Sequence, residues 1–283
     1  MSLFKIHANT PALTALNSLY RSSQSIAVHQ ARLASGKRIN TAKDDSAGYA
    51  ISRSLEQRAK GLRGALENVR NAASILSIAE GGYQAQMDVL LTIKSKTVQA
   101  ADSSLSTDQR TAVRNQVNQL LQEVDDISSQ AKWNGESIFG STFSFHVGAD
   151  KDDKLAVVMA TSTSAAVGGN TLADLSSMGT TGGTFSIEDE TKSALAIGAV
   201  DTAIQALATI VQGIGDTIIR LGLKADALSI TASNTEATRS RYEDADMAHE
   251  QVEFLKHQIV QQTGISALSQ ANSAPQIVLS LFR

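Results

Sequence analysis

The sequence predicts a mainly α-helical protein: an elongated, coiled-coil-like helical rod with paired N- and C-terminal segments and a small β-hairpin region. Three observations carry that prediction. Apolar residues return with alternating spacings of three and four in five separate segments. The composition is 42% hydrophobic but only 4% aromatic, with two prolines in 283 residues, which suits long helices with narrow apolar seams. The segments also lie almost symmetrically about one stretch of alternating residues, so the chain runs out and returns, bringing its two ends together.

The first segment has the seam Ala12, Leu16, Leu19, Ser23, Ile26, Gln30 and Leu33. It is broken by "LASGKRINTAKDDSAGYAI" (Leu33–Ile51), where two glycines, an asparagine, a basic pair and an acidic pair interrupt the period. Gly36 can end the first helix in a left-handed cap, and Asp44, Asp45 or Ser46 can begin the second. The second segment repeats strictly by seven at Leu55, Leu62, Val69, Leu76, Tyr83 and Leu90, with Ala59, Leu66, Ala73 and Met87 between those marks. A helix from Ser46 to about Ala101 would be roughly 80 Å long.

The third segment, Val113, Val117, Leu120, Val124, Ile127 and Ala131, opens on Ser106-Thr107-Asp108-Gln109, which fits a capping box. It closes on the turn signal Trp133-Asn134-Gly135. "FSFHVGADKDDKLAVVMAT" (Phe143–Thr161) alternates, meets a polar turn and resumes, as a β-hairpin does. The serine-, threonine- and glycine-rich run that follows reads as surface loop. The fourth segment is the longest unbroken run: Val200, Ile204, Leu207, Val211, Ile214, Ile218, Leu221, Ala225, Leu228 and Ala232. The fifth has a seam mostly of small residues: Val260, Gly264, Ala267, Ala271, Ala274, Val278 and Leu281.

Both ends lack charge. No Asp, Glu, Lys or Arg occurs from Ile6 to Tyr20 or from His257 to Phe282. A helix facing water normally carries charge on its outer face; neutral polar residues all round suit a helix surrounded by copies of itself or lining a water-filled passage. The small-residue seam buries little area, whereas a full Leu or Ile contributes about 1.5–3 kcal/mol. Ordering the backbone costs about 1–2 kcal/mol per residue. The two ends are therefore expected to order only when subunits associate.

Several function classes are disfavoured. A net charge of −3 gives no electrostatic case for nucleic acid or membrane surfaces. No run approaches about 18 consecutive apolar residues, so no membrane insertion is expected, and the N-terminal stretch does not read as a cleaved signal peptide. There is no cysteine. The histidines His7, His29, His146, His249 and His257 are scattered, and the last two lie eight apart rather than at the i, i+4 spacing of a metal pair. The Asp44-Asp45 and Asp152-Asp153 pairs lack an acid–base or calcium constellation around them. No catalytic, cofactor or metal site is expected.

The stretches "LASGKRINTAKDDSAGYAI", "TVQAAD", "WNG", "FHVGAD" and "RSRYEDADMAHE…QQTGISALSQANSAPQIVLSLFR" resemble bacterial flagellin over residues 1–139 and 189–283. That resemblance implies an exported structural subunit, not an enzyme, that polymerises with itself into the flagellar filament; the alternative is a hook–filament junction protein of the same family. It implies an inner core domain from 1–45 plus 239–283, a rod domain from 46–139 plus 189–238, and a hairpin with a reduced variable region over 140–188. Subunit assembly would fall to Leu16, Leu19, Ile26, Leu33, Val260, Gly264, Ala267, Ala271, Ala274, Val278 and Leu281. Gly36, Lys37, Arg38, Asn40, Asp44, Asp45, Arg239 and Arg241 would form the inter-domain spoke, with Arg239 or Arg241 expected to pair with Asp44 or Asp45. An export chaperone, a filament cap and hook–filament junction proteins are the further partners implied. Flagellins sensed by Toll-like receptor 5 carry an Arg, a Leu and a Glu where this chain has Thr92, Lys96 and Gln116, so weak or no recognition is expected.

Overall fold

The fold comes from a computed structural model, which describes residues 9–163 and 190–281, with side chains described up to residue 273. The Ser/Thr-rich loop expected from Ser162 to Thr184 lies almost wholly outside the described residues. The elements are α1 (Thr10–Ser35), α2 (Ser46–Ala100), α3 (Thr107–Gln130), β1 (Lys132–Trp133), β2 (Glu136–Ser137), β3 (Thr142–His146), β4 (Lys154–Val158), α4 (Glu190–Glu243) and α5 (Met247–Leu281). The chain divides into two compact units, Met1–Ala59 with Ser233–Arg283, and Lys60–Ala232.

In the second unit the core is a seam of three helices. Along α2 the buried residues Leu62, Ala65, Val69, Ala72, Leu76, Ala79, Tyr83, Gln86, Leu90 and Ile93 keep a strict three–four alternation. From Leu62 on, the sevenfold marks read from sequence are thus core positions, whereas Leu55 is only half-buried; Leu66, Ala73 and Met87 flank the core half-buried. Helix α3 contributes Val113, Val117, Leu121 and Val124, and α4 contributes Val200, Ala203, Leu207, Ile214 and Leu221. By length and composition α4 has an 18-residue window, of mean hydropathy 1.8, able to cross a membrane. Its buried residues lie in this helical core.

Two polar groups are held inside that seam by specific bonds. Gln86 donates from Nε2 to the carbonyls of Val124 and Ser162, both at 3.0 Å. Tyr83 donates its hydroxyl to Ala160 O at 2.6 Å, and burial pushes its pKa up. The Ser106 capping box forms as the sequence predicts, with Gln109 Oε1 accepting from Ser106 N at 2.9 Å. The Trp133-Asn134-Gly135 signal becomes the tight turn between β1 and β2, with φ of 51° at Asn134 and 86° at Gly135. Strands β3 and β4 pair antiparallel, Thr142 against Val158 through to His146 against Lys154.

The first unit consists of α1, the connection to the start of α2, the last turns of α4, and α5. Asn9 caps α1 by accepting from Ala12 N at 3.1 Å, and Gly36 ends it with φ 72° and a 2.8 Å bond to Arg32 O. The two breaks are unequal. Ten residues separate α1 from α2, whereas only Asp244–Asp246 separate α4 from α5. Arg239 and Arg241, placed by resemblance in the returning spoke, therefore sit in the last turns of a helix.

Candidate functional site

The site begins where the two breaks meet. Gly36 O accepts from Ala245 N at 2.9 Å, and Lys37 forms a single antiparallel bridge with Asp244. Arg38 N donates to Glu243 O at 2.7 Å, and Arg38 Nη2 donates to Tyr242 O at 2.9 Å. Beneath this backbone pairing lies the Glu243 side chain, 2% exposed. One carboxylate oxygen accepts from Lys37 Nζ at 2.5 Å; the other accepts from Ser52 Oγ at 2.9 Å and lies 3.6 Å from Arg239 Nη1. Burial pushes the Glu243 pKa up, but the Lys37 and Ser52 bonds and the Lys37 and Arg239 charges outweigh it, leaving it below the ordinary value.

The pairing expected between Arg239 or Arg241 and Asp44 or Asp45 is not formed. Arg239 bonds Glu236 at 2.5 Å on its own helix, and Arg241 is exposed in the last turn of α4. Asp44 instead holds its own loop: Oδ2 accepts from Asn40 N, Thr41 N and Thr41 Oγ1 at 2.9–3.1 Å. The Thr41 backbone bond holds the Asp44 pKa below the ordinary value, against a small effect of burial. Asp45 accepts from Gly48 N at 2.9 Å at the start of α2. Asn40 reaches back to Ala31 O at 3.3 Å. Ile39, 2% exposed, plugs the junction. A Cβ on Gly48 would lie 2.7 Å from Ile39 Cδ1 and would collide with the Asp45 carboxylate.

From this junction α1 and α5 pair antiparallel. Arg32 Nη1 and His29 Nδ1 meet the Glu250 carboxylate at 3.2 and 2.5 Å. Ser22 donates to His257 O at 2.9 Å, Leu19 packs 3.5 Å from where a Gly264 Cβ would stand, and Asn9 Nδ2 donates to Ala271 O at 2.9 Å. Gly264 therefore marks the close approach that its small size allows.

The inner face of α1 is Ala12, Ala15, Leu19, Ser22, Ile26, His29 and Leu33, all buried or half-buried. Leu19, Ile26 and Leu33 are where the sequence places them, but Ala15, Ser22 and His29 take the positions read for Leu16, Ser23 and Gln30. On α5 the inner face is Glu250, Phe254, His257, Gln261, Gly264, Leu268 and Ala271. Gly264 and Ala271 lie in it; Val260 and Ala267 face outward. The side chains of Ala274, Val278 and Leu281 lie outside the described residues. The outer faces hold the large apolar groups: Leu13, Leu16 (50% exposed) and Tyr20 on α1, and Val252, Leu255, Ile259 (64%) and Val260 on α5. Along this pair the inner faces mix large apolar, small and polar groups, and further large apolar groups stand outward.

Sequence reasoning does not single out Glu243, Glu250, His29, Ile39 or Gly48 as site residues. Ile39 is the most legible of them, as a lone large apolar residue in a polar break. The partner of a buried carboxylate across more than two hundred residues leaves no local signal.

A family model described as the bacterial flagellin N-terminal helical region matches residues 6–144, and one described as the bacterial flagellin C-terminal helical region matches residues 197–282. The chain is 33% identical to the flagellar filament 33 kDa core protein of Treponema phagedenis, over 98% of this chain and 99% of that protein. It is also 33% identical to flagellin FlaB2 of Treponema pallidum over the same shares, and 29% identical to flagellin of Bacillus subtilis over 99% of this chain and all of that one. A solved structure of a putative flagellar hook-associated protein from Vibrio parahaemolyticus, 14% identical, superposes with a TM-score of 0.58 over 71% of this chain and all of that one, a likeness of fold. Two family models and relatives matched from end to end agree: the chain belongs to the bacterial flagellins, the secreted structural subunits of the flagellar filament.

Proposed function

We propose that this chain polymerises with copies of itself through the outer faces of α1 and α5, and that residues 1–45 with 239–283 form the inner core of the filament. The observation that carries this reading is the set of large apolar groups left on the outside of the pair. An isolated helical hairpin gains stability by turning its large apolar groups inward. Here Leu13, Leu16, Tyr20, Val252, Leu255 and Ile259 face outward, and no Asp, Glu, Lys or Arg occurs from Ile6 to Tyr20 or from His257 to Phe282. Contiguous apolar faces of that kind mark surfaces that another protein covers.

The remaining assignments follow the family. Residues 46–139 with 189–238 form the surrounding rod, and 140–188 a reduced variable region. The Gly36–Asp45 break with Arg239 and Arg241 is the spoke between domains. The role is structural rather than catalytic, with an export chaperone, a filament cap and hook–filament junction proteins as transient partners. Thr92, Lys96 and Gln116, in place of Arg, Leu and Glu, support weak or no recognition by Toll-like receptor 5.

The test compares the full chain with residues 46–238 after seeding, by electron microscopy and circular dichroism. The full chain is expected to form filaments and gain helix as it does; the shortened chain is expected to do neither. Filaments from both would remove the terminal helices from the assembly mechanism.

A further inference from the structure

We infer that His29, Glu253 and His257 form a zinc site that ties α1 to α5. Nothing in the sequence leads one to expect it, because the histidine spacing along either helix alone does not fit a metal pair. The antiparallel pairing changes that, since it brings His29 from one end of the chain against His257 and Glu253 from the other. One donor atom from each of the three lies within 4.8 Å of the other two.

The surroundings favour a metal ligand at His29. Its Nδ1 sits 2.5 Å from Glu250 Oε2, and the other oxygen of that buried carboxylate is held by Arg32 Nη1 at 3.2 Å. A carboxylate held by Arg32 and set against Nδ1 fixes the tautomer and ring orientation, and leaves the Nε2 lone pair for an ion. Metal-bound histidines are commonly oriented in this way.

Two imidazoles and one carboxylate make the three-protein-ligand set of an open, four-coordinate zinc site, with water in the fourth position. Imidazole donors select zinc over magnesium and calcium. The rings of His29 and His257 stack at 5.4 Å with 20° between their planes. Nearly parallel rings cannot both aim a lone pair at one ion, so one must turn about χ2. His257 is the ring free to do so, since its Nε2 has only a 3.9 Å contact with Glu253. Lys256, which bonds Glu253 at 3.1 Å, is 61% exposed and can move into solvent when the ion arrives. The ligands then close from 4.8 Å to about 3.3 Å apart, the spacing that zinc–nitrogen bonds of about 2.0–2.1 Å impose.

Such an ion bridges two elements that are otherwise joined by a mixed seam of apolar, small and polar groups. It binds the paired state alone, so zinc adds to the order of both chain ends by linkage.

The experiment uses the full-length, untagged chain, as monomer and as assembled filament, stripped by chelator and then dialysed against zinc chloride. At least one form is expected to hold one zinc per chain. His257→Gln and Glu253→Gln are each expected to lower the affinity at least tenfold, and Glu250→Gln about tenfold. His249→Gln, an exposed residue on the same helix, is expected to change nothing. In the monomer, zinc is expected to raise the helix melting temperature of the parent but not of His257→Gln. Glu253→Gln, at a half-exposed position, serves as the readout should the histidine variant fail to fold. No uptake by either form, or equal uptake by the parent and both variants, would overturn the site. The filament reading is untouched by either result, because assembly is scored separately by electron microscopy.

Discussion

Glu243 and Glu250 show how single buried charges set the geometry of a junction. Each would be costly to bury alone; Glu243 is met by Lys37, Arg239 and a hydroxyl, and Glu250 by the Arg32 guanidinium and the His29 ring. Replacing Glu243 by Gln keeps the shape but weakens the bonds to Lys37 and Ser52. It is expected to cost about 2 kcal/mol, the scale of a hydrogen bond to a charged group, read as a fall in the urea midpoint by circular dichroism. Both carboxyls have folded pKa values below the ordinary 4.5. The stability they contribute is therefore fully present above 4.5 and is lost as pH falls below it through the folded values. The parent is expected to lose stability as pH falls below 4.5, and Glu243→Gln to lose less over the same fall. Sequence reading finds the basic side of this junction, Lys37 and Arg38, but assigns the acidic side to Asp44 and Asp45. Those two are used locally as loop and helix caps, the roles that short acidic side chains fill best.

The helices themselves are legible because their period is strict. The boundaries of α2, the Ser106 capping box and the Asn134-Gly135 turn all stand where the sequence predicts them. What misleads is the frame of the seam on α1, where the period puts Leu16 inside and leaves Ala15 out. A rule that turns large apolar residues inward fails here, because α1 leaves Leu16 outward and packs the smaller Ala15 inward. The same helix can hold glycines with opposite tolerance. On α2, a Cβ added to Gly81 would meet nothing within 4 Å, so Gly81→Ala is expected to stabilise by up to about 1 kcal/mol through helix propensity. Gly48→Ala gains the same propensity but displaces the Asp45 cap and Ile39. A lost cap alone costs about 1 kcal/mol, so no gain, or a net loss, is expected in the same urea titration.

At the scale of the whole molecule, the uncharged ends are the feature that sequence and structure interpret together. Lack of charge from Ile6 to Tyr20 and from His257 to Phe282 says that these segments do not face bulk water in their working state. The outward Leu16, Tyr20, Val252 and Ile259 mark the faces that the proposed assembly covers. The covering partner proposed is a further flagellin subunit, since the family forms the flagellar filament. The most direct measurement is seeded polymerisation, followed by light scattering and electron microscopy, of the parent, Ile259→Glu and Lys151→Glu. The last reverses an exposed charge in the turn between β3 and β4, far in sequence from the paired ends. The account predicts filaments from the parent and from Lys151→Glu, and from Ile259→Glu a folded monomer that does not extend seeds. Filaments of normal length from Ile259→Glu would contradict it, because a carboxylate cannot be buried at a tightly packed apolar contact without a partner.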